Sequence, residues 1–484
     1  MQDPTSPAAI AEKYDAIAYD ALPYPMSHPD HVAAVVTMFG ATPPPVATAR
    51  VLELGCNDGS NLLPMAASLP GATLVGCDIA AGAIATAQAS ARALGLSNVE
   101  FRAVDLRAVD DGPYDFVIAH GVYSWVPAEV RDALFALAQR VLSRNGVLFA
   151  SYNTYPGGHI RRAAWEALRW HVRDLPDRAT QLASAREIAG LLAEPGTTHE
   201  PADASVRAEF RRIAGEPDSP LFHDTLAEPN DPVWFHEFVA HAARDELEYV
   251  AEALPSMMAG GGLAPRVRQF LASQDRLARE QYLDFVRVRR FRQSLVCRRE
   301  AAGDFRLSHE RMQALAVSAS MPLMRAAAES KLPSTPGPDG ETLRRLLETL
   351  VGQAPRAMPV PSSLERVSTI SGGRAPAAVL LEAWISGFAQ LHAHPPQPAA
   401  AAGGMPLAAR IARWQAPQRE AVTSLRHETI RLVDPFARSL VPLCDGTRDR
   451  AALLAAMGRG DDATARAQLD DTLSMLAQCA LLER

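Results

Sequence analysis

Between residues 50 and 152, short apolar runs alternate with helical patterns: RVLEL, TLVGCD, NVEFRAVD, YDFVIAHG and NGVLFASYN. Each run suits one strand and each gap a helix, so this stretch predicts a doubly wound parallel α/β sheet. Helices are expected at 60–68, 80–94 and 127–142, with Gly95 and Gly146 at C-cap positions. From residue 159 to 290 the pattern turns mostly helical. Two runs there, LEYVAEA at 247–253 and FRQSLVCR at 291–298, are candidate strands returning to the same sheet.

The stretch that carries chemistry is VLELGCNDGSN at 51–61, after one strand and before one helix. Gly55 and Gly59 let the backbone turn tightly and approach a ligand, and Asn57 tolerates a left-handed backbone. This is not the GxGxxG of a dinucleotide site, because the third glycine is missing. Glu53 ends the first strand with a carboxylate, Asp78 ends the second and Asp105 follows the third. Acids at three successive strand ends suit S-adenosylmethionine (SAM): Glu53 its cationic amino-acid end, Asp78 the ribose hydroxyls and Asp105 the adenine amino group. Ile79, Leu106 and His120 complete the expected cofactor contacts.

These residues resemble the class I SAM-dependent methyltransferases, with a Rossmann-like sheet. The likeness narrows through YDAIAYDALPYPMSHPDHVAAVVTMFG (14–40), HGVYSWVP (120–127), SYNTYPG (151–157), HDTLAEPNDPVWFHEF (223–238), EQYLDFVRVRRFRQSLVC (280–297) and VTSLRHETIRLVDPFARSLVPLCDGTRDRAALLAAM (422–457). Together they resemble the methyltransferases with an attached regulatory domain, whose best-known members are rickettsial protein lysine methyltransferases acting on an outer-membrane protein. The resemblance implies SAM as cofactor and a protein substrate, an outer-membrane or surface protein among the candidates. A homodimer is left open.

The expected organisation is an N-terminal arm or lid at 1–44 and a methyltransferase domain at 45–300, whose helical insertion or regulatory segment covers about 176–300. A winged-helix-like domain at 301–395 and a small, mostly helical, self-contained domain at 396–484 follow. The length of 484 residues fits about three domains of roughly 150 residues each.

Methyl transfer from a sulfonium needs alignment and exclusion of water more than covalent help. A lysine acceptor must also lose a proton, since its free pKa is about 10.4. Tyr123, Trp125, Asn153 and Tyr155, after the fourth and fifth strands, are the candidate catalytic groups; ordinary packing is the rival account of Tyr123 and Trp125. Tyr14, Tyr19 and Tyr24 precede the sheet as a lid or an anchor, and Asn230 and Trp234 are candidates at the substrate entrance. The run Arg287, Arg289, Arg290, Arg292, Arg298 and Arg299 reads as a solvated face, or as a contact for acidic polypeptide or phosphate. A small-molecule methyltransferase and a SAM-binding scaffold without turnover are the alternative functions.

The 48 basic and 55 acidic residues leave a net charge of −7, which gives no overall pull toward nucleic acid or an anionic membrane. The expected winged helix lacks a recognition helix rich in Arg, Asn and Gln, so nucleic acid is not an expected partner. Five scattered cysteines without a CxxC argue against a disulfide framework or zinc, and the mechanism needs no metal. With no leader pattern and no apolar run of about 18 residues, a cytoplasmic protein without a membrane span is expected.

Overall fold

The computed structural model describes residue 19 and residues 21–194, 201–333, 336–367 and 371–483. Its main sheet contains β1 (Arg50–Leu54), β2 (Thr73–Asp78), β3 (Val99–Ala103), β4 (Tyr114–Ala119), β5 (Leu142–Asn153), β6 (Leu247–Glu252) and β7 (Phe291–Arg298), in the order β3-β2-β1-β4-β5-β7-β6. The first five strands run parallel, and β7 enters antiparallel between β5 and β6. Both late runs therefore return to the sheet. Strand order reverses between β1 and β4, which opens a crevice beyond the carboxyl ends of the strands.

The helices Leu62–Ser68, Ala81–Leu94 and Ala128–Val141 occupy the expected segments. Gly95 caps its helix in the left-handed region, at φ +62°. Gly146 does not cap one. The preceding helix stops at Val141, and Gly146 lies within β5, where a Cβ would come within 2.9 Å of the Tyr114 carbonyl oxygen. Close packing needs the glycine there, and a local pattern cannot tell that need from a cap.

After β5 the helices Gly157–Val172, Arg178–Leu192 and Pro201–Ala214 pack around Leu168, Leu182, Phe210 and Ile213. A wide turn over Leu221–Leu226 and the helix Phe235–Arg244 lead into β6. The arginine run is split by this geometry. Arg290 and Arg299 keep outward side chains, 57% and 50% exposed. Arg289 and Arg292 are buried, and Arg292 reaches Glu252 at 2.6 Å and Asp284 at 2.8 Å. A solvated face is thus the wrong account of those two, because the pleat of β7 turns Arg292 toward carboxylates on β6 and on the helix Arg276–Arg287.

A smaller antiparallel sheet, ordered β10-β8-β9, joins β8 (Ala316–Ala319), β9 (Met358–Pro359) and β10 (Ala389–His392). The helix Pro376–Ile385 leads into β10. Buried Asp30, on the helix Pro29–Met38, accepts a hydrogen bond from His392 Nδ1 at 2.6 Å, and His392 Nε2 lies 2.9 Å from Ser318 Oγ. This chain of bonds pins the N-terminal helix to the small sheet.

The last segment holds the helix Arg410–Gln415, a hairpin of β11 (Ala421–Thr423) and β12 (Thr429–Arg431), and the helices Pro435–Leu440, Arg450–Ala456 and Ala463–Gln478. It is not self-contained. Ile411, Leu473 and Leu482 share one apolar core with Val35, Leu62 and Leu346. An apolar helix face signals that something covers it without saying what. Among the described residues no helix is long and apolar enough to cross a membrane.

Candidate active site

A cavity of about 390 Å³ opens at the ends of β1, β2, β4 and β5, within the size range of small-molecule sites. The turn after β1 builds its floor. Gly55, Asn57 and Gly59 have φ of +71°, +48° and +76°, so Asn57 takes the left-handed conformation expected of it. Gly59 does not line the cavity. A Cβ there would meet the Phe101 ring at 2.6 Å, so its smallness serves packing between turn and sheet.

Asp78 is oriented by the turn itself: its carboxylate accepts the Asn57 N–H and the Ala80 N–H, each at 2.9 Å. Asp105 accepts the Arg107 N–H and pairs with its guanidinium at 2.6 Å, which holds the Asp105 pKa below the usual carboxylate range. Ile79, Leu106 and Arg107 stand beside these acids in the wall.

Glu53 is different. It is 3% exposed, its Oε1 accepts from Asn61 Nδ2 at 2.7 Å, and its Oε2 has no hydrogen-bond partner. Burial, with the nearby Asp78 and Asp58 carboxylates adding to it, pushes the Glu53 pKa up to about 8 against the Asn61 hydrogen bond. A buried acid with an orphaned oxygen facing a cavity lacks a cation. The unpartnered Glu53 oxygen fits the ammonium at the amino-acid end of SAM, as Asp78 and Asp105 fit its ribose and base.

His120 lies under Tyr24, with ring centroids 3.7 Å apart, and burial lowers its pKa to about 4, so the imidazole is neutral near pH 7. Tyr19 and Tyr24 both line the cavity, and the Tyr24 N–H is held by Asn61 Oδ1. Tyr14 lies outside the described residues.

Of the four candidate catalytic residues, the structure brings Trp125 and Asn153 to the cavity. Tyr123 is turned away and 3% exposed; it packs against Phe135, Tyr152 and Phe238 and meets His241 Nδ1 through its hydroxyl at 2.9 Å. That is the packing account, and Tyr123 serves the core. Tyr155 stacks on His159 and sits 5.3 Å from Trp234, in an aromatic cluster that is not part of the cavity wall. Asn230 is buried behind the wall and accepts from Asn153 Nδ2 at 2.9 Å. Asn230 therefore orients Asn153 instead of facing the entrance.

The sequence reading missed Asn61, Arg161, Asp224 and Phe291, which also line the cavity. Asn61 was within reach, two residues past Gly59 where the helix begins. Asp224 carried no signal, because it comes from the wide turn of the insertion, far along the chain from every strand end. Burial, then Glu216, raise its pKa to about 6 against Arg161 and Arg212. Its carboxylate makes no hydrogen bond or ion pair among the described residues. No group of His, Cys, Asp and Glu among the described residues is arranged to hold a metal.

Three family models match the chain: a methyltransferase domain at residues 51–146, a predicted methyltransferase regulatory domain at 217–298, and a PKMT C-terminal winged helix domain at 404–463. The winged-helix model therefore falls on the last segment, which the sequence reading took for a small helical domain. The uncharacterized protein RP789 of Rickettsia prowazekii is 36% identical over 297 residues, 60% of this chain and 54% of that protein. The uncharacterized protein RP028 of the same organism is 31% identical over 245 residues, 49% of this chain and 97% of that protein. The chain thus spans about half the length of the first and nearly all of the second. Among solved structures, PKMT2 from Rickettsia typhi superimposes with a TM-score of 0.83 at 21% identity, over 96% of this chain and all of that one, and has also been solved with AdoHcy.

Proposed function

The chain belongs to the class I SAM-dependent methyltransferases that carry a methyltransferase regulatory domain, and from that premise we propose that it methylates lysine side chains of a protein. The observation that carries this reading is the acid that the insertion adds to the cavity, Asp224. Glu53 suits the cation of the cofactor's amino-acid end, whereas Asp224 comes from a different element, with Trp125 and Phe291 elsewhere in the same wall. A carboxylate that makes no direct ion pair, in a space with aromatic walls, suits an ammonium group better than a carboxylate or phosphate acceptor. The likeness in fold to a protein titled PKMT2 supports the same reading.

SAM supplies a methyl group on a positively charged, already activated sulfur. The protein's part is to align the acceptor, keep water out and take a proton. In this reading Glu53, Asp78 and Asp105 hold the cofactor at its three polar parts, with Gly55, Asn57, Ile79, Leu106 and His120 around it. Tyr19 and Tyr24 close over the crevice. The acceptor's ammonium docks on Asp224; loss of water and the neighbouring positive charge lower its pKa, and the proton passes to the carboxylate. The neutral nitrogen would then be ready to accept the methyl group that SAM, when bound by these residues, supplies in line. Asn153, fixed by Asn230 and Arg161, and Trp125 position the amine.

Purified protein incubated with methyl-labelled SAM and fractionated cell extract, beside an Asp78→Ala control, tests the reading. Label is expected in the protein fraction and, after hydrolysis, on lysine, and absent with the control. Label confined to small molecules overturns it.

A further inference from the structure

The residue that sets how Glu53 faces the crevice is itself held from the far end of the chain. Asn61 is 3% exposed and uses its whole amide. Its Nδ2 donates to Glu53 Oε1 at 2.7 Å and to Ser27 Oγ at 3.1 Å. Its Oδ1 accepts from the Tyr24 backbone N–H at 2.9 Å and from His427 Nε2 at 2.8 Å. An amide offers two donor protons and two acceptor sites, so all four are engaged.

His427 stands in the turn between β11 and β12. Turns are ordinarily the exposed part of a hairpin, yet Ser424, Arg426 and His427 are buried, at 3%, 6% and 4% exposure. Ser424 braces the turn: its Oγ accepts from the Arg426 and Glu428 N–H groups and its carbonyl from the His427 N–H. His427 is thereby held at φ +60°, a conformation that a residue with a side chain keeps only where its surroundings impose it. The hairpin of the last segment thus inserts its tip behind the wall of the cofactor crevice.

We infer that the C-terminal segment supplies a positioning residue to the cofactor site: His427 fixes the Asn61 amide so that its NH₂ end, and not its carbonyl, meets Glu53. The two ends of an amide are nearly equal in shape, so hydrogen bonds alone choose between them. With two N–H groups on Oδ1, a flip would set the carbonyl against the Glu53 carboxylate and face two buried donors with an NH₂. Without His427, the Tyr24 N–H is the donor left on Oδ1, and the preference for the observed orientation weakens. Burial keeps the imidazole neutral, and a carbonyl oxygen only accepts, so the ring proton sits on Nε2. The same bond couples the two regions: any displacement of the hairpin changes cofactor affinity, and cofactor binding steadies the hairpin by the same factor.

The inference rests on the proposed placement of the cofactor's ammonium at Glu53. Full-length wild type, His427→Ala, His427→Gln, Glu53→Gln and the double variant His427→Ala with Glu53→Gln are titrated with S-adenosylhomocysteine by calorimetry, each after circular dichroism and a melting curve. His427→Ala is expected to weaken binding about tenfold, as for one lost hydrogen bond in a charged network. His427→Gln, which still donates an N–H, regains most of the loss. In the Glu53→Gln background the histidine change moves Kd less than about twofold. If His427→Ala does not fold, His427→Phe, which keeps the ring and loses the N–H, takes its place under the same criteria. A single variant within twofold of wild type overturns the tie, and so does an equal tenfold loss in the Glu53→Gln background, which would mark a general structural effect. Unaltered binding by Glu53→Gln itself overturns the cofactor placement and the tie with it.

Discussion

Buried carboxylates gather at two places along the main sheet, and the two differ in what surrounds them. At the β6–β7 edge, Glu252, Glu280 and Asp284 surround Arg292 and Arg289, and all five residues are at most 4% exposed. At the end of β1, Glu53 is as deeply buried but has only an amide beside it. The first set has two guanidiniums among its three carboxylates. The second has no paired cation among the described residues and leaves Glu53 Oε2 without a hydrogen bond, the kind of perturbed buried acid that marks a ligand site. The distinction between a structural and a functional acid therefore lies in the missing partner and not in the depth of burial.

The comparison breaks most sharply at Arg292. Arg292→Ala leaves three buried carboxylates with Arg289 as their remaining guanidinium, and is expected to cost about 3–5 kcal/mol, read as a lower urea midpoint at unchanged slope. A loss under about 1 kcal/mol would place that network among the weak surface pairs. Asp224→Asn comes next. Transfer to the protein fraction should fall about 100-fold or more, while S-adenosylhomocysteine binds within about twofold of wild type, since the role proposed for this acid is toward the acceptor. Equal losses in both readouts would move Asp224 to the cofactor side.

Glu53 gives the smallest and most diagnostic effect. Its pKa is raised to about 8 in the free protein, so near pH 7 it binds a proton that the unfolded chain has already lost. Stability contributed by this group thus falls as pH rises from the ordinary carboxylate range toward 8. Cofactor binding has the opposite sign, because an ammonium favours the ionised acid: affinity should rise by up to about tenfold per pH unit below 8 and level off above it. Asp224, with a pKa of about 6, also titrates nearby, so the slope is read between pH 6.5 and 8, roughly the window that Glu53 alone governs. Calorimetry in two buffers of different ionisation enthalpy should register one released proton in wild type and none in Glu53→Gln. A flat profile in wild type would remove Glu53 from the cofactor site.

Much of the crevice was legible in advance for a local reason. An acid at the end of an apolar run and a glycine or asparagine in the following turn are placed by strand and turn geometry that neighbouring residues dictate. Asn57 shows this: its left-handed φ follows from its place in the turn. Tyr123 shows the limit. It lies four residues from the end of β4, and whether its ring entered the crevice or the core depended on the space between Phe135, Tyr152 and Phe238. The arginine run shows it again, since one pleat separates buried Arg292 from cavity-lining Phe291 and the carboxylates that receive it come from β6 and a separate helix.

By itself, then, the sequence determined the βα alternation, the order of the strand-end acids and the turn that carries them, because each depends on residues within a few positions of one another. Tertiary structure alone decided that Asp224 from the insertion faces the same cavity, that Asn153 is steered by Asn230, and that a histidine 366 residues away along the chain holds the amide beside Glu53. Those contacts follow from how helices and hairpins bury their apolar faces against partners distant in the chain, and no local pattern names the partner.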